Sequence, residues 1–178
     1  MDIRVLPFGS LPVGPLRDAL PFRQGKVRVF GKEYDQPRLV CWFGPCDYTY
    51  SNLTLEAGPF PKVLDDIRAR VSQAAGEDFN SVLCNLYRNG NDHVSYHSDD
   101  EPIFGGDPII ASLSFGETRK FKLRRKDDHK VKQSLTLTDG SLLIMGRGIQ
   151  GAWQHSVPKA KLANAPRINL TFRRVVHF

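Results

Sequence analysis

Long apolar runs are missing from this 178-residue chain. None approaches the roughly 18 consecutive apolar residues of a membrane-crossing helix. The opening stretch, MDIRVLPFGSLPVGPL, lacks the basic start and continuous apolar core of a secretory signal. Cysteine is scarce: Cys41, Cys46 and Cys84 are three in number and show no C-x-x-C spacing. An odd, unpatterned set argues against a disulfide framework and reads as thiols of a reducing compartment. Internal repeats and low-complexity tracts are absent too, which removes solenoids and disordered tails from consideration. These absences lead us to expect an intracellular protein of the nucleus, the cytoplasm or both, with no membrane association. Nothing in the chain suggests an oligomer, so a monomer is expected.

What is present is the composition of a globular protein, 40% hydrophobic and 25% charged, in a length that suits one domain with a real core. The net charge of +6 favours a polyanionic partner such as nucleic acid, although a merely basic soluble protein has the same charge. The chemistry concentrates in NLYRNGNDHVSYHSDDE, residues 85–101. His97 and Asp99 form an H-x-D pair. Residues i and i+2 of an extended strand share a face, so an imidazole and a carboxylate can aim at one point. His155, in the strand-like segment AWQHSVP, is the best third ligand. Two His and a carboxylate make the facial triad that holds non-haem Fe(II) with open positions. H-x-D alone also occurs by chance.

Taken in order, residues 1–25 are rich in Pro and Gly and read as a loosely structured lead-in. Lys26 to Tyr34 alternates and then breaks at Phe30-Gly31, a short hairpin with an aromatic tip. Phe30 is either a core ring or a wedge between bases. A strand is expected over Pro37 to Phe43. Tyr48 and Tyr50 share one face of the next extended segment, as core or as a stacking platform. Pro61 to Ala75 is the clearest helix, with Pro61 at its first position, a stripe of Val63, Leu64, Ile67 and Val71, and a stop at Gly76. Short strands follow at residues 79–86, 108–115, 119–124, 133–137, 141–145 and 168–175. One helix and many short strands point to an α+β, mainly β domain of sandwich or jelly-roll type.

Two polar clusters remain. Basic residues crowd the hairpin from Arg119 to Lys132, either a solvated surface or a phosphate contact. In PRINLTFRR, Arg167, Asn169, Thr171 and Arg173 share one face of a strand, and Ile168, Leu170 and Phe172 the other. Buried, that polar face calls for an anion; at a sheet edge it is simply wet.

Asn85 and Tyr87 (N-x-Y), His97, Asp99 and Glu101 (H-x-D-x-E), a distal His155 and the closing R-x-N-x-T-x-R follow one another in a set that resembles the AlkB-type dioxygenases. These use Fe(II) and 2-oxoglutarate to dealkylate nucleic acids. The resemblance runs from about Val27 to Arg174. It implies a double-stranded β-helix (jelly roll) over residues 26–178, with a nucleotide-recognition hairpin region at about 26–51. By the same resemblance, His97, Asp99 and His155 ligate iron and are the catalytic set. Asn85, Tyr87, Arg167, Asn169, Thr171 and Arg173 hold 2-oxoglutarate, and O2 is the second co-substrate. Tyr48, Tyr50, Trp42, Arg38, Phe30, Asp100 and Glu101 are the implied substrate contacts. The implied activity is oxidative demethylation of 1-methyladenine and 3-methylcytosine in DNA, with RNA as a further substrate, releasing formaldehyde and succinate. QPRL, FNSVLCNLYRNG, HSDDEP and PIIASLSFGETR are most similar to the animal family member that acts on single-stranded DNA and RNA. VRVFGK is similar to the finger of the member that acts on duplex DNA. The rival readings are a non-catalytic nucleic-acid-binding jelly roll and a protein-hydroxylating oxygenase.

Overall fold

The computed structural model describes residues 2–177, and of Val29 the backbone alone. In chain order the elements are β1 (Ile3–Pro7), α1 (Val13–Ala19), β2 (Arg23–Val29), β3 (Lys32–Phe43), β4 (Tyr48–Tyr50), β5 (Leu53–Leu55), α2 (Lys62–Ala75), β6 (Ser81–Tyr87) and β7 (Val94–His97). After a 3-10 turn at Pro102–Phe104 come β8 (Ile110–Gly116), β9 (Arg119–Arg125), β10 (Lys132–Leu137), β11 (Ser141–Met145), α3 (Ile149–Ala152), β12 (Trp153–Val157) and β13 (Arg167–Arg173). A seven-stranded sheet has the order β1-β11-β8-β13-β6-β3-β2, and a four-stranded sheet the order β10-β9-β12-β7. Strand pairing is antiparallel in both. Together they make the expected jelly roll, with β4-β5 as a separate small hairpin.

Period-2 alternation divides the large sheet chemically. On β13, Ile168, Leu170 and Phe172 face an apolar layer with Leu64, Ile67, Val71 and Ala75 of α2 and Leu16 of α1. Arg167, Asn169, Thr171 and Arg173 are equally buried but point the other way, into the roll. Each of the larger apolar side chains among them contributes about 1.5–3 kcal/mol by leaving water. The helix layer thus stabilises a sheet whose opposite face can be spent on polar groups. β13 lies between β8 and β6, so its arginine face is interior and not the wet edge that its sequence also allows.

Three expectations are corrected. Residues 1–25 are not a loose lead-in: β1 pairs with β11 along Ile3 to Pro7, and α1 packs Leu16 into the core. Pro61 is the N-cap of α2 rather than its first helical residue, while Gly76 ends the helix as expected and does so in the left-handed conformation (φ 68°). Val63 is exposed and lies off the buried stripe.

Candidate metal centre and substrate cleft

β7 and β12 are neighbours, and their register sets His155 directly opposite His97. The ring centroids are 4.3 Å apart. Asp99 lies just past the end of β7, where its backbone N–H donates to Gln150 Oε1 at 2.9 Å. Its Oδ1 is 3.6 Å from His97 Nε2 and its Oδ2 is 3.9 Å from His155 Nε2. One ligand atom from each residue lies within 4.8 Å of the others, the arrangement of a metal-binding triad. His97 Nδ1 is 2.8 Å from the Ser95 carbonyl. A carbonyl only accepts, so Nδ1 carries the proton and Nε2 keeps its lone pair for a metal.

Electrostatics holds the ligands in binding form. Burial resists ionisation of Asp99, but Arg173 Nη2 at 3.0 Å and the two imidazoles outweigh it, keeping the carboxyl well below its usual range. Burial, and then His97, push His155 down from its ordinary 6.5 to about 3, so it is neutral near pH 7. A pH effect follows for the metal-free protein. The unfolded chain takes up a proton near 6.5 that folded His155 refuses until about 3. Stability should therefore fall as pH drops below 6.5, by up to about 1.4 kcal/mol per pH unit, with Asp99 adding to the loss in stronger acid. Urea melts of metal-free protein between pH 7 and 4 check this. A midpoint that holds or rises would contradict it.

Behind the triad, inside the roll, lies a cavity lined by Asn85, Tyr87, Ser112, Arg167, Asn169, Thr171 and Arg173. Arg167 donates from Nη2 to Ser114 Oγ at 2.8 Å, but its buried Nε and Nη1 find no partner among the described residues. Arg173 likewise leaves Nε and Nη1 unpartnered among the described residues. Thr171 Oγ1 donates to Asn169 Oδ1 at 2.8 Å, and Asn169 Nδ2 to Ser112 Oγ at 2.7 Å, which fixes the floor between the arginines. Two buried guanidiniums with free N–H groups, beside a metal triad, suit a small dicarboxylate. The donor set therefore fits both an iron ion and an oxo-diacid.

The cavity meets an outer cleft of about 680 Å³, in the range of ligand sites. Tyr48, Tyr50, His97, Glu101, Gln36, Arg38, His93 and Tyr96 line it. Tyr48 and Tyr50 stack at 5.0 Å, and Tyr48 is backed in turn by Trp42 at 4.7 Å. Burial raises the Tyr48 hydroxyl well above its ordinary value, so it stays protonated and donates to Glu101 Oε1 at 2.8 Å.

The family model described as the 2OG-Fe(II) oxygenase superfamily matches residues 13–173. The chain belongs to this superfamily. Its metal is Fe(II), and its co-substrates are 2-oxoglutarate and O2. Among curated relatives, human alpha-ketoglutarate-dependent dioxygenase alkB homolog 3 is 48% identical over 80% of this chain and 53% of the relative. Bovine DNA oxidative demethylase ALKBH2 is 42% identical over 85% of this chain and 58% of the relative. The chain thus spans between half and three-fifths of the length of these two relatives. A solved structure titled "The structure of OsALKBH1" superposes with a TM-score of 0.58 at 18% identity over 78% of each chain, which supports the fold alone.

As a 2OG-Fe(II) oxygenase, the protein gathers around one cavity the residues expected there: His97, Asp99, His155, Asn85, Tyr87, Arg167, Asn169, Thr171 and Arg173. Arg38 is buried and donates from Nε to Asn85 Oδ1 at 2.8 Å, so it touches cavity and cleft together. Tyr50, Glu101 and the largely buried Tyr48 all line the cleft. Trp42 is not a cleft residue: it is buried behind Tyr48, with Nε1 donating to the Cys46 carbonyl at 2.8 Å. Asp100 is turned out of the site, because adjacent residues of an extended segment face opposite ways, and it pairs with Lys126 at 2.9 Å. Phe30 is neither core nor cleft wall; it is wholly exposed at the β2–β3 tip. Arg119 leaves the basic surface and is buried, donating to the carbonyls of Asn89, Asp92 and Pro158. Gln150, Gln36, His93 and Tyr96 were not singled out from sequence. Tyr96 had a signal, as an aromatic ring on the short strand that carries His97; Gln150 had none.

Proposed function

We propose that this oxygenase removes N-methyl groups from bases, 1-methyladenine and 3-methylcytosine, in DNA and RNA. The observation that carries the reading is one continuous space. It runs from two unpartnered buried arginines, past the His97–Asp99–His155 triad, to a tyrosine-lined cleft with a carboxylate at its rim. The names of the relatives, a dioxygenase and a DNA oxidative demethylase, support it.

In this reading His97, Asp99 and His155 hold the iron. Arg167 and Arg173 receive the carboxylates of 2-oxoglutarate, and Asn85, Tyr87, Asn169 and Thr171 complete its seat. Iron, O2 and 2-oxoglutarate together supply the oxidation that turns N–CH3 into N–CH2OH, with succinate and CO2 formed; the hydroxymethyl group then leaves as formaldehyde. The chain's own groups bind and orient. Tyr50 and His97 face a base that has left its stack, a displacement that costs least for a damaged or unpaired base. Glu101 favours the positive charge of a methylated base. The aromatic and charged character of the cleft suits a base better than a peptide, and exposed Lys120, Lys122, Lys130 and Lys132 supply phosphate contacts. We place the activity in a single domain that includes β1 and α1, working as a monomer in the nucleus or cytoplasm, with residues 26–51 as the nucleotide-recognition region. Formaldehyde release tests the substrate class: methylated oligonucleotides should yield it and methylated peptides should not, and the reverse would refute the reading.

Phe30 bears on strand choice. It occupies a two-residue hairpin turn with φ 47°, followed by Gly31 at φ 78°. A bulky residue is costly in that region, and a fully exposed ring gains no packing to offset it. We assign it as a wedge that enters duplex DNA. Phe30→Ala should lower turnover on duplex about tenfold, the worth of a lost intercalating contact, and leave single-strand turnover and melting temperature unchanged. Equal losses on both substrates would refute the wedge.

A further inference from the structure

Gln36 takes no part in the chemistry above, yet its side chain is buried beside the cleft, 3% exposed. Its amide meets the Tyr50 hydroxyl at two points: Nε2 donates to it at 3.0 Å, and the hydroxyl donates to Oε1 at 3.2 Å. The Gln36 backbone is held as well, its carbonyl accepting from Gln24 Nε2 at 2.7 Å. The β2–β3 pairing shifts register between Gln24 and Lys26, with Gly25 in the irregularity. A Cβ at position 25 would stand 2.7 Å from Gln36 Oε1 and 2.8 Å from Leu53 Cδ2. A side chain at position 25 would push the Gln36 amide or the Leu53 methyl aside, so glycine leaves the amide room to reach across to the β4–β5 hairpin.

Tyr50 needs such a tie. Tyr48 is fixed by Trp42, Phe104 and Glu101, whereas Tyr50 stacks on Tyr48 and, among the described residues, has no other ring contact. Its three-residue strand belongs to a two-stranded hairpin joined to neither larger sheet. A hairpin of that size is marginal alone, so side-chain ties decide where its ring stands.

We infer that Gln36 is a positioning residue: its amide latches the Tyr50 hydroxyl and fixes the ring at the attitude on which a flipped base stacks. Gly25 is the residue that admits the latch. The inference rests on the nucleic-acid reading of the cleft.

The test is a cycle of Gln36→Leu, Tyr50→Phe and the double variant. Each is assayed with iron, 2-oxoglutarate and a methylated single-stranded oligonucleotide, and each is melted. Gln36→Leu should raise the KM for oligonucleotide about fivefold, the equivalent of one hydrogen bond, and move kcat less than twofold. Tyr50→Phe should give a similar rise, the double variant no more than either single one, and Gly25→Ala should reproduce Gln36→Leu. A Gln36→Leu protein that melts lower with unchanged KM would make Gln36 merely structural and overturn the inference. So would single effects that add. A wild type that converts 2-oxoglutarate but touches no oligonucleotide overturns the substrate reading instead. The latch is then judged by melting, where non-additive deficits support it and additive ones overturn it.

Discussion

Asp99→Asn is expected to fold, to bind oligonucleotide within about threefold of wild type, and to lose demethylation to background. The two properties separate because they rest on different surfaces. Asp99 is buried between two imidazoles and Arg173, and its charge serves the metal. Phosphate affinity, in our reading, rests on exposed lysines of the β9–β10 hairpin. Asparagine keeps the volume and an oxygen for Arg173 but forfeits the charge that makes the triad a strong metal site. Asp99→Ala is the harsher companion. It strands the Arg173 guanidinium in the interior, and breaking a buried pair in this way costs about 3–5 kcal/mol. It should therefore lose turnover and melt lower. Fluorescence anisotropy with a labelled oligonucleotide, beside a turnover assay, checks both variants. Wholesale loss of affinity in folded Asp99→Asn would show that metal and phosphate roles are not separate.

Arg167→Met should raise the KM for 2-oxoglutarate by about a hundredfold and leave the ligand-free melting temperature at or above that of wild type. A buried guanidinium that meets a ligand carboxylate is worth a charge-assisted, bidentate contact. Without that ligand, Nε and Nη1 lack partners, and only Ser114 answers Nη2. Methionine of similar length removes the desolvation cost and still packs against Tyr87, whose ring centre is 5.2 Å from the guanidinium. Succinate formation across a 2-oxoglutarate titration, with thermal melts, decides it. A large drop in melting temperature with unchanged KM would make Arg167 a structural residue.

The arginine strand was legible because strand periodicity is strict: once β13 was extended, Arg167 and Arg173 had to share a face. What periodicity could not say was whether that face was wet, which depends on β13 lying between β8 and β6. The helix α2 was readable from the spacing of Leu64, Ile67 and Val71, and Val63 was over-assigned because it merely neighbours that stripe. β1 was missed because a five-residue edge strand amid Pro and Gly gains its identity from β11, far along the chain. The segment around His155 reads as a strand, but its place opposite His97 is a property of sheet register. Trp42 shares its face of β3 with Val40, and only the Tyr48 ring laid over it removes it from the cleft. Arg119 was hidden by its basic neighbours, although alternation with Phe121 and Leu123 places it inside. Gln36 and Gln150 act through contacts between separate elements, which no local pattern reveals.

In our proposal the triad, the arginines and the tyrosine cleft form one demethylating site. Purified protein given Fe(II), ascorbate and 2-oxoglutarate, with oligonucleotides carrying 1-methyladenine or 3-methylcytosine as single strands and duplexes, tests it most directly. The methyl group should be lost with matching formaldehyde and succinate, and withholding iron or 2-oxoglutarate should abolish the loss. Succinate without demethylation would contradict the assigned substrate, and no succinate at all would contradict the site.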